Sequence, residues 1–260
     1  VNILDRYILR NMSEWRLSDM DTKIFWAGDS TVKQNNYTSF PQTGIGQAFA
    51  LFIKQSIRIE NYAQNGRSTR SFIAEGRLDA IDKRIGEGDF LFIQFGHNDE
   101  KKQDPSRYTE SFGSYQENLL KFIDVARKHG AHPVLITPLY RRKFNEDGRT
   151  LVEGTHLDYP EAMIELGKRE NVPVIDLCTS SKALIEQFGE KATRKWFMHV
   201  EPGIYPHFPD GKEDDTHLQY EGAYRFSQLI AEDMKKLGGV YADLFIDPDS
   251  DYEDPAMLID

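Results

Sequence analysis

Ile24-Phe25-Trp26-Ala27-Gly28-Asp29-Ser30 opens on an unbroken apolar run and ends in a glycine, a carboxylate and a hydroxyl. The run has the length of a strand buried on both faces, and the polar ending is where a chain leaves a sheet. Three more runs of this kind follow, Phe90–Phe95, Pro133–Thr137 and Val172–Asp176. A further stretch, Ile57–Tyr62, alternates more and suits a strand nearer an edge. Between them, Tyr115–His129 sets Leu119, Leu120, Phe122, Ile123 and Ala126 at helical spacing, with Gly130 as a natural stop. Tyr159–Asn171 repeats the pattern through Ala162, Met163 and Leu166, and Glu221–Leu237 runs up to Gly238-Gly239. Strand and helix in alternation imply parallel pairing with helices on both faces. The expected fold class is therefore α/β, a doubly wound, flavodoxin-like sheet of five parallel strands. In such sheets the ligand site lies outside the carboxyl ends of the strands.

The chain of 260 residues carries 28% charged and 39% hydrophobic residues, enough for a substantial core. No internal repeat or low-complexity linker divides it, so one domain is expected, with a core of about 24–237. No role is assigned to the N-terminal extension 1–21 or to the acidic tail 240–260; the tail either is disordered or packs through Leu244, Phe245 and Ile246. The formal net charge of −10 argues against nucleic acid as a partner, and no apolar stretch suits a membrane span. Cys178 is the sole cysteine, so no intrachain disulfide forms and a buried structural thiol is expected. Without a signal-like N-terminal segment, these features point to the cytoplasm.

Ser30, at the end of the first strand, is a candidate nucleophile, and a serine hydroxyl needs a base to take its proton. Asp214-Asp215-Thr216-His217 supplies one: with Asp214 and His217 a turn apart, the carboxylate can fix the ring while its other nitrogen faces Ser30. Acyl transfer also needs donors for an oxyanion. The Ser30 backbone N–H, the Gly66 N–H and the Asn98 side-chain amide all fall after strands. Each feature alone also reads as a turn or a helix cap. Their coincidence favours chemistry.

Gly28-Asp29-Ser30-Thr31, Gly66, Gly96-His97-Asn98-Asp99 and Asp214-x-x-His217 resemble, in order, the four sequence blocks of the SGNH (GDSL-type) hydrolases. Asn65-Gly66-Arg67-Ser68-Thr69-Arg70-Ser71, Thr137-Pro138-Leu139-Tyr140-Arg141-Arg142 and Thr155-His156-x-x-Tyr159-Pro160 extend the likeness to the rhamnogalacturonan acetylesterase branch. The resemblance implies a three-layer α/β/α sandwich, in agreement with the strand reading. It implies Ser30 as nucleophile, His217 as base, Asp214 as its orienter, and Ser30, Gly66 and Asn98 as the oxyanion hole. It implies a serine carboxylic ester hydrolase that requires neither metal nor cofactor and removes acetyl groups from plant cell-wall carbohydrate.

Basic residues cluster after the strands at Arg67 and Arg70, Lys101 and Lys102, and Arg141, Arg142 and Lys143. Gathered around one crevice, they would favour a substrate with carboxylates, such as a galacturonate-containing fragment. Arg67, Arg70, Arg141, Arg142, His156 and Tyr159 are the candidate substrate contacts, and Tyr37, Phe40, Tyr140, Phe144, Tyr159 and Tyr205 the candidate stacking surfaces. The partner is then an acetylated oligosaccharide. Rival readings are an acetyl-xylan or other small-ester esterase, a metal-dependent phosphoesterase using Asp29, His97, Asn98, Asp99, Asp214 and His217, and a non-catalytic carbohydrate-binding module.

Overall fold

The computed structural model describes residues 22–246; the extension 1–21 and the tail beyond residue 246 lie outside the described residues. Five strands, β1 (Lys23–Gly28), β2 (Arg58–Asn61), β3 (Phe90–Gln94), β4 (His132–Ile136) and β5 (Val174–Ile175), make one sheet. Their order is β2-β1-β3-β4-β5, and every pairing is parallel. The register sets Trp26 beside Phe92 and Gly28 beside Gln94. The helices are α1 (Ile45–Ala48), α2 (Thr69–Ala74), α3 (Arg77–Asp82), α4 (Gln116–Lys128), α5 (Tyr159–Glu170), α6 (Leu177–Thr193), α7 (Tyr220–Leu237) and α8 (Gly239–Ala242).

Because side chains alternate along a strand, the apolar runs face two cores. Ile24, Trp26, Phe90, Phe92, Val134 and Ile136 pack with Ile185 of α6 and Phe226, Ile230 and Met234 of α7. Phe25, Leu91, Ile93 and Leu135 pack on the opposite face with Phe72, Ile81, Phe122, Ile123, Met163 and Leu166 from α2, α3, α4 and α5. Helices thus cover both faces, giving the three layers the sequence implied. Leu244 and Phe245 are buried in the first core, so the start of the acidic tail packs. No helix among the described residues is long and apolar enough to cross a membrane.

The strand order reverses direction between β1 and β3, since the chain winds outward from β1 to β2 and then crosses back. Crevices open at such a switch point, beyond the carboxyl ends of the strands. Residues following β1, β2 and β3 therefore share one rim, with the β1 exit in the middle.

Candidate active site

Gly28 ends β1, and Asp29 shapes the turn that follows. Asp29 Oδ1 accepts from the Thr31 N–H and the Thr31 hydroxyl, both at 2.9 Å. This folds the chain sharply after the strand and leaves Ser30 at the rim. Burial pushes the Asp29 carboxyl above its ordinary range, against the hydrogen bonds from Thr31.

The Asp214–His217 loop meets Ser30 from the far end of the chain. Asp214 uses its two oxygens differently. Oδ1 accepts from the backbone N–H groups of Thr216 at 2.8 Å and His217 at 2.9 Å, an Asx turn that accounts for the three-residue spacing. Oδ2 lies 2.7 Å from His217 Nδ1. His217 Nε2 lies 2.9 Å from Ser30 Oγ. With Nδ1–H donating to the carboxylate, Nε2 carries the lone pair that accepts the Ser30 proton. Burial disfavours the charged form of Asp214, but the hydrogen bond and charge of His217, with Lys212 Nζ at 2.9 Å, outweigh it and hold the carboxyl well below the usual range.

On the β2 side, Gly66 adopts φ +74°, a left-handed conformation that favours glycine, and turns the chain toward α2. Ser68 caps α2, accepting from the Ser71 N–H while Ser71 Oγ accepts from the Ser68 N–H. On the β3 side, Asn98 Nδ2 donates to the Arg67 carbonyl at 3.1 Å, so its second amide hydrogen is available. Asp99 locks the two loops together, Oδ1 accepting from the Thr69 N–H at 3.0 Å, the Thr69 hydroxyl at 2.6 Å and the Thr109 hydroxyl at 3.0 Å. Burial drives the Asp99 carboxyl up to about 7. His97 is buried with its ring edge-on to His156 at 4.5 Å, and burial pushes it well below the ordinary imidazole value, so it is neutral.

A sequence profile of the GDSL-like lipase/acylhydrolase family matches residues 27–222. The chain belongs to this family. It is 43% identical over 216 residues to the rhamnogalacturonan acetylesterase RhgT of Bacillus subtilis (strain 168), covering 83% of this chain and 90% of the relative. A probable rhamnogalacturonan acetylesterase of the same organism, YesY, is 39% identical over 219 residues, covering 84% and 95%. Among solved structures, protein YxiM of Bacillus subtilis superposes with a TM-score of 0.72 at 27% identity, covering 84% of this chain and 57% of that one. An acetylxylan esterase from Geobacillus stearothermophilus superposes at 0.55 with 14% identity, covering 81% and 93%. That last likeness speaks to the GDSL-like fold alone.

Within this GDSL-like chain, the expected substrate contacts divide. Arg70 is exposed, with one long hydrogen bond to the Pro105 carbonyl. Arg67 is half-buried and engaged by Glu75 and by the Asn65 carbonyl. Arg141 is bound to Glu100 and the Thr155 carbonyl. Three residues are corrected. Arg142 is buried, its guanidinium shared among Asp215 at 2.7 Å, Thr193 Oγ1 at 3.0 Å and the Glu190 carbonyl. His156 is buried, with Nε2 2.8 Å from the Leu139 carbonyl. Tyr159 is buried, its hydroxyl donating to the Asp99 and Thr109 carbonyls. Buried polar groups satisfied this way hold the fold rather than a ligand.

Three residues escaped sequence reasoning. A Cβ at Gly66 would lie 3.3 Å from Arg107 Nη1 and 3.5 Å from Nη2, so the Arg107 guanidinium sits over the Gly66 turn. Its Nε is paired with Asp104 at 3.0 Å, leaving the terminal nitrogens turned to Gly66. Lys212 contacts Asp214, and Asp215 anchors the loop through Arg142 and through His199 Nε2 at 2.7 Å. Proximity of Asp215 to Asp214 was the only signal available for any of them.

Proposed function

We propose that this protein is a serine O-acetylesterase that removes acetyl groups from plant cell-wall carbohydrate, with acetylated rhamnogalacturonan fragments as substrate. The observation that carries the reading is the continuous chain from Ser30 Oγ through His217 Nε2, at 2.9 Å, to Asp214 Oδ2, at 2.7 Å from the other ring nitrogen. Ser30 Oγ attacks the acetyl carbonyl as its proton passes to His217 Nε2. Asp214, kept ionised, stabilises the imidazolium that forms. The oxyanion is received by the N–H groups of Ser30 and Gly66 and the free amide hydrogen of Asn98. His217 returns its proton to the sugar oxygen, which departs as a hydroxyl. Water, deprotonated by the same ring, then attacks the acetyl-Ser30 ester and releases acetate.

The relatives named as rhamnogalacturonan acetylesterases, at 43% and 39% identity over most of the chain, support the pectic substrate. Arg107 supports the acidic half of that substrate, because its terminal nitrogens beside the Gly66 turn can take a uronate carboxylate in bidentate fashion. Ser30→Ala is expected to abolish turnover of p-nitrophenyl acetate and acetate release from acetylated rhamnogalacturonan, with the melting temperature retained. Near-normal turnover by that variant overturns the reading. Acetate release compared across acetylated pectin, acetylated xylan and small sugar esters fixes the preferred carbohydrate.

A further inference from the structure

Two loops beside Asp214 and His217 put large apolar side chains into water. Tyr37 is 79% exposed, Phe40 60% and Ile204 63%. Across the gap the rings meet in pairs, Tyr37 with His207 at 5.8 Å and Phe40 with Tyr205 at 5.5 Å, both edge-on. Edge-on pairing joins the loops while leaving ring faces open. Each loop is fastened to the triad. After Pro41, the Thr43 N–H donates to the Leu218 carbonyl at 2.9 Å, next to His217. The second loop is a hairpin closed by reciprocal Val200–Lys212 backbone bonds, and its Lys212 is the residue that holds Asp214. Of the other aromatic candidates, Tyr140 and Tyr159 are buried and Phe144 packs against the core.

We propose that Tyr37, Phe40, Tyr205 and His207 form a stacking platform for the sugar rings that flank the acetylated unit of an oligosaccharide held at Ser30; this rests on the acetylesterase reading. Exposed rings cost solvation without stabilising the core, and a patch of this kind marks a binding surface. Its chemistry selects the occupant. Tyrosine hydroxyls and histidine nitrogens alternate with ring faces, and Asn36 and Asp210 stand exposed beside them. A pyranose presents the same mixture, C–H faces that stack and hydroxyls that need polar partners. The position adds the second argument, since a chain whose acetyl group is presented to Ser30 must extend along the rim where these loops stand.

The test measures steady-state kinetics on an acetylated rhamnogalacturonan oligosaccharide and on ethyl acetate, which has no ring to stack. Tyr37→Ala and Phe40→Ala are each expected to raise KM for the oligosaccharide about tenfold and to leave ethyl acetate turnover unchanged. His207→Ala, from the opposite loop, should raise the oligosaccharide KM less, and Tyr37→Phe, which keeps the ring and loses only the hydroxyl, should raise it less than Tyr37→Ala does. Equal losses on both esters, or no change in the oligosaccharide KM, overturn the platform. If the wild type cleaves ethyl acetate but releases no acetate from the oligosaccharide, the carbohydrate reading itself fails and the platform falls with it.

Discussion

Asp214 shows how one side chain can fix both a backbone and a tautomer. Its Oδ1 makes the turn that carries His217, and its Oδ2 aligns the ring, so position and orientation come from the same carboxylate. Asn98 has a comparable double duty. One amide hydrogen ties the β3 exit to the Arg67 carbonyl, and the other is the donor proposed above for the oxyanion. Asn98→Ala removes a donor whose interaction strengthens only as the carbonyl oxygen becomes charged. The expected result is a kcat lower by roughly 10²–10³-fold with little change in KM, since loss of one preorganised donor acts on the transition state. Steady-state kinetics on p-nitrophenyl acetate would read it. A loss confined to KM would remove Asn98 from the oxyanion hole.

The element that matters most is the loop between α6 and α7, because it must hold His217 against Ser30 without belonging to the sheet. It is pinned by the Met198 N–H donating to the His217 carbonyl at 2.8 Å and by Arg142, whose own N–H donates to the Asp215 carbonyl at 2.9 Å. Arg142→Ala leaves Asp215 without its guanidinium and empties a buried site among Thr193, Glu190 and His199. Losing one partner of a fully buried pair costs about 3–5 kcal/mol. Asp215 is 41% exposed, which lowers the expected loss to about 2 kcal/mol. Urea denaturation measures that loss, and kcat should fall with it because the His217–Ser30 alignment loosens; full stability with full activity would show the clamp to be idle. The sequence revealed β1, β3 and β4 because both faces of each are largely buried, so apolar runs stand out. It revealed the edge strand β2 through alternation, and α4, α5 and α7 because they span several turns. It did not reveal α2 and α3, which at six residues each are too short to show a period. The helix α6 was hidden because it opens on Cys178-Thr179-Ser180-Ser181 and kinks at Gly189. The meeting of Ser30, His217 and Asp214 was legible as spacing, whereas Arg142, His156 and Tyr159 were not legible as buried struts, since charge and aromaticity say nothing of which way a side chain turns. Arg107 was missed for the same reason, its approach to Gly66 being a product of loop closure.

Over the whole molecule, a net charge of −10 coexists with a rim of arginines because most of those arginines are neutralised locally by Glu75, Glu100 and Asp215. Asp99 is the opposite case, a buried carboxyl with hydroxyl and amide donors and no paired cation among the described residues, joining the β3 exit, α2 and the segment leading to α4. Its pKa of about 7 in the fold, raised by burial from an ordinary 3.8, couples global stability to pH. Below the unfolded value both states hold the proton and the group contributes nothing. Between the two values the unfolded chain has released its proton while the native state keeps it, so stability from this group falls as pH rises. Above about 7 both are ionised and the penalty is constant. Other carboxylates impose slopes of their own, so the observable is the difference between wild type and Asp99→Asn across pH. The amide carries no titration but forfeits an acceptor, which shifts the variant by a pH-independent amount. Urea titrations from about pH 4 to about pH 7 should therefore show the asparagine variant gaining on the wild type as pH rises. Two stability curves that stay parallel over that window would mean that Asp99 ionises in the fold as readily as in the unfolded chain.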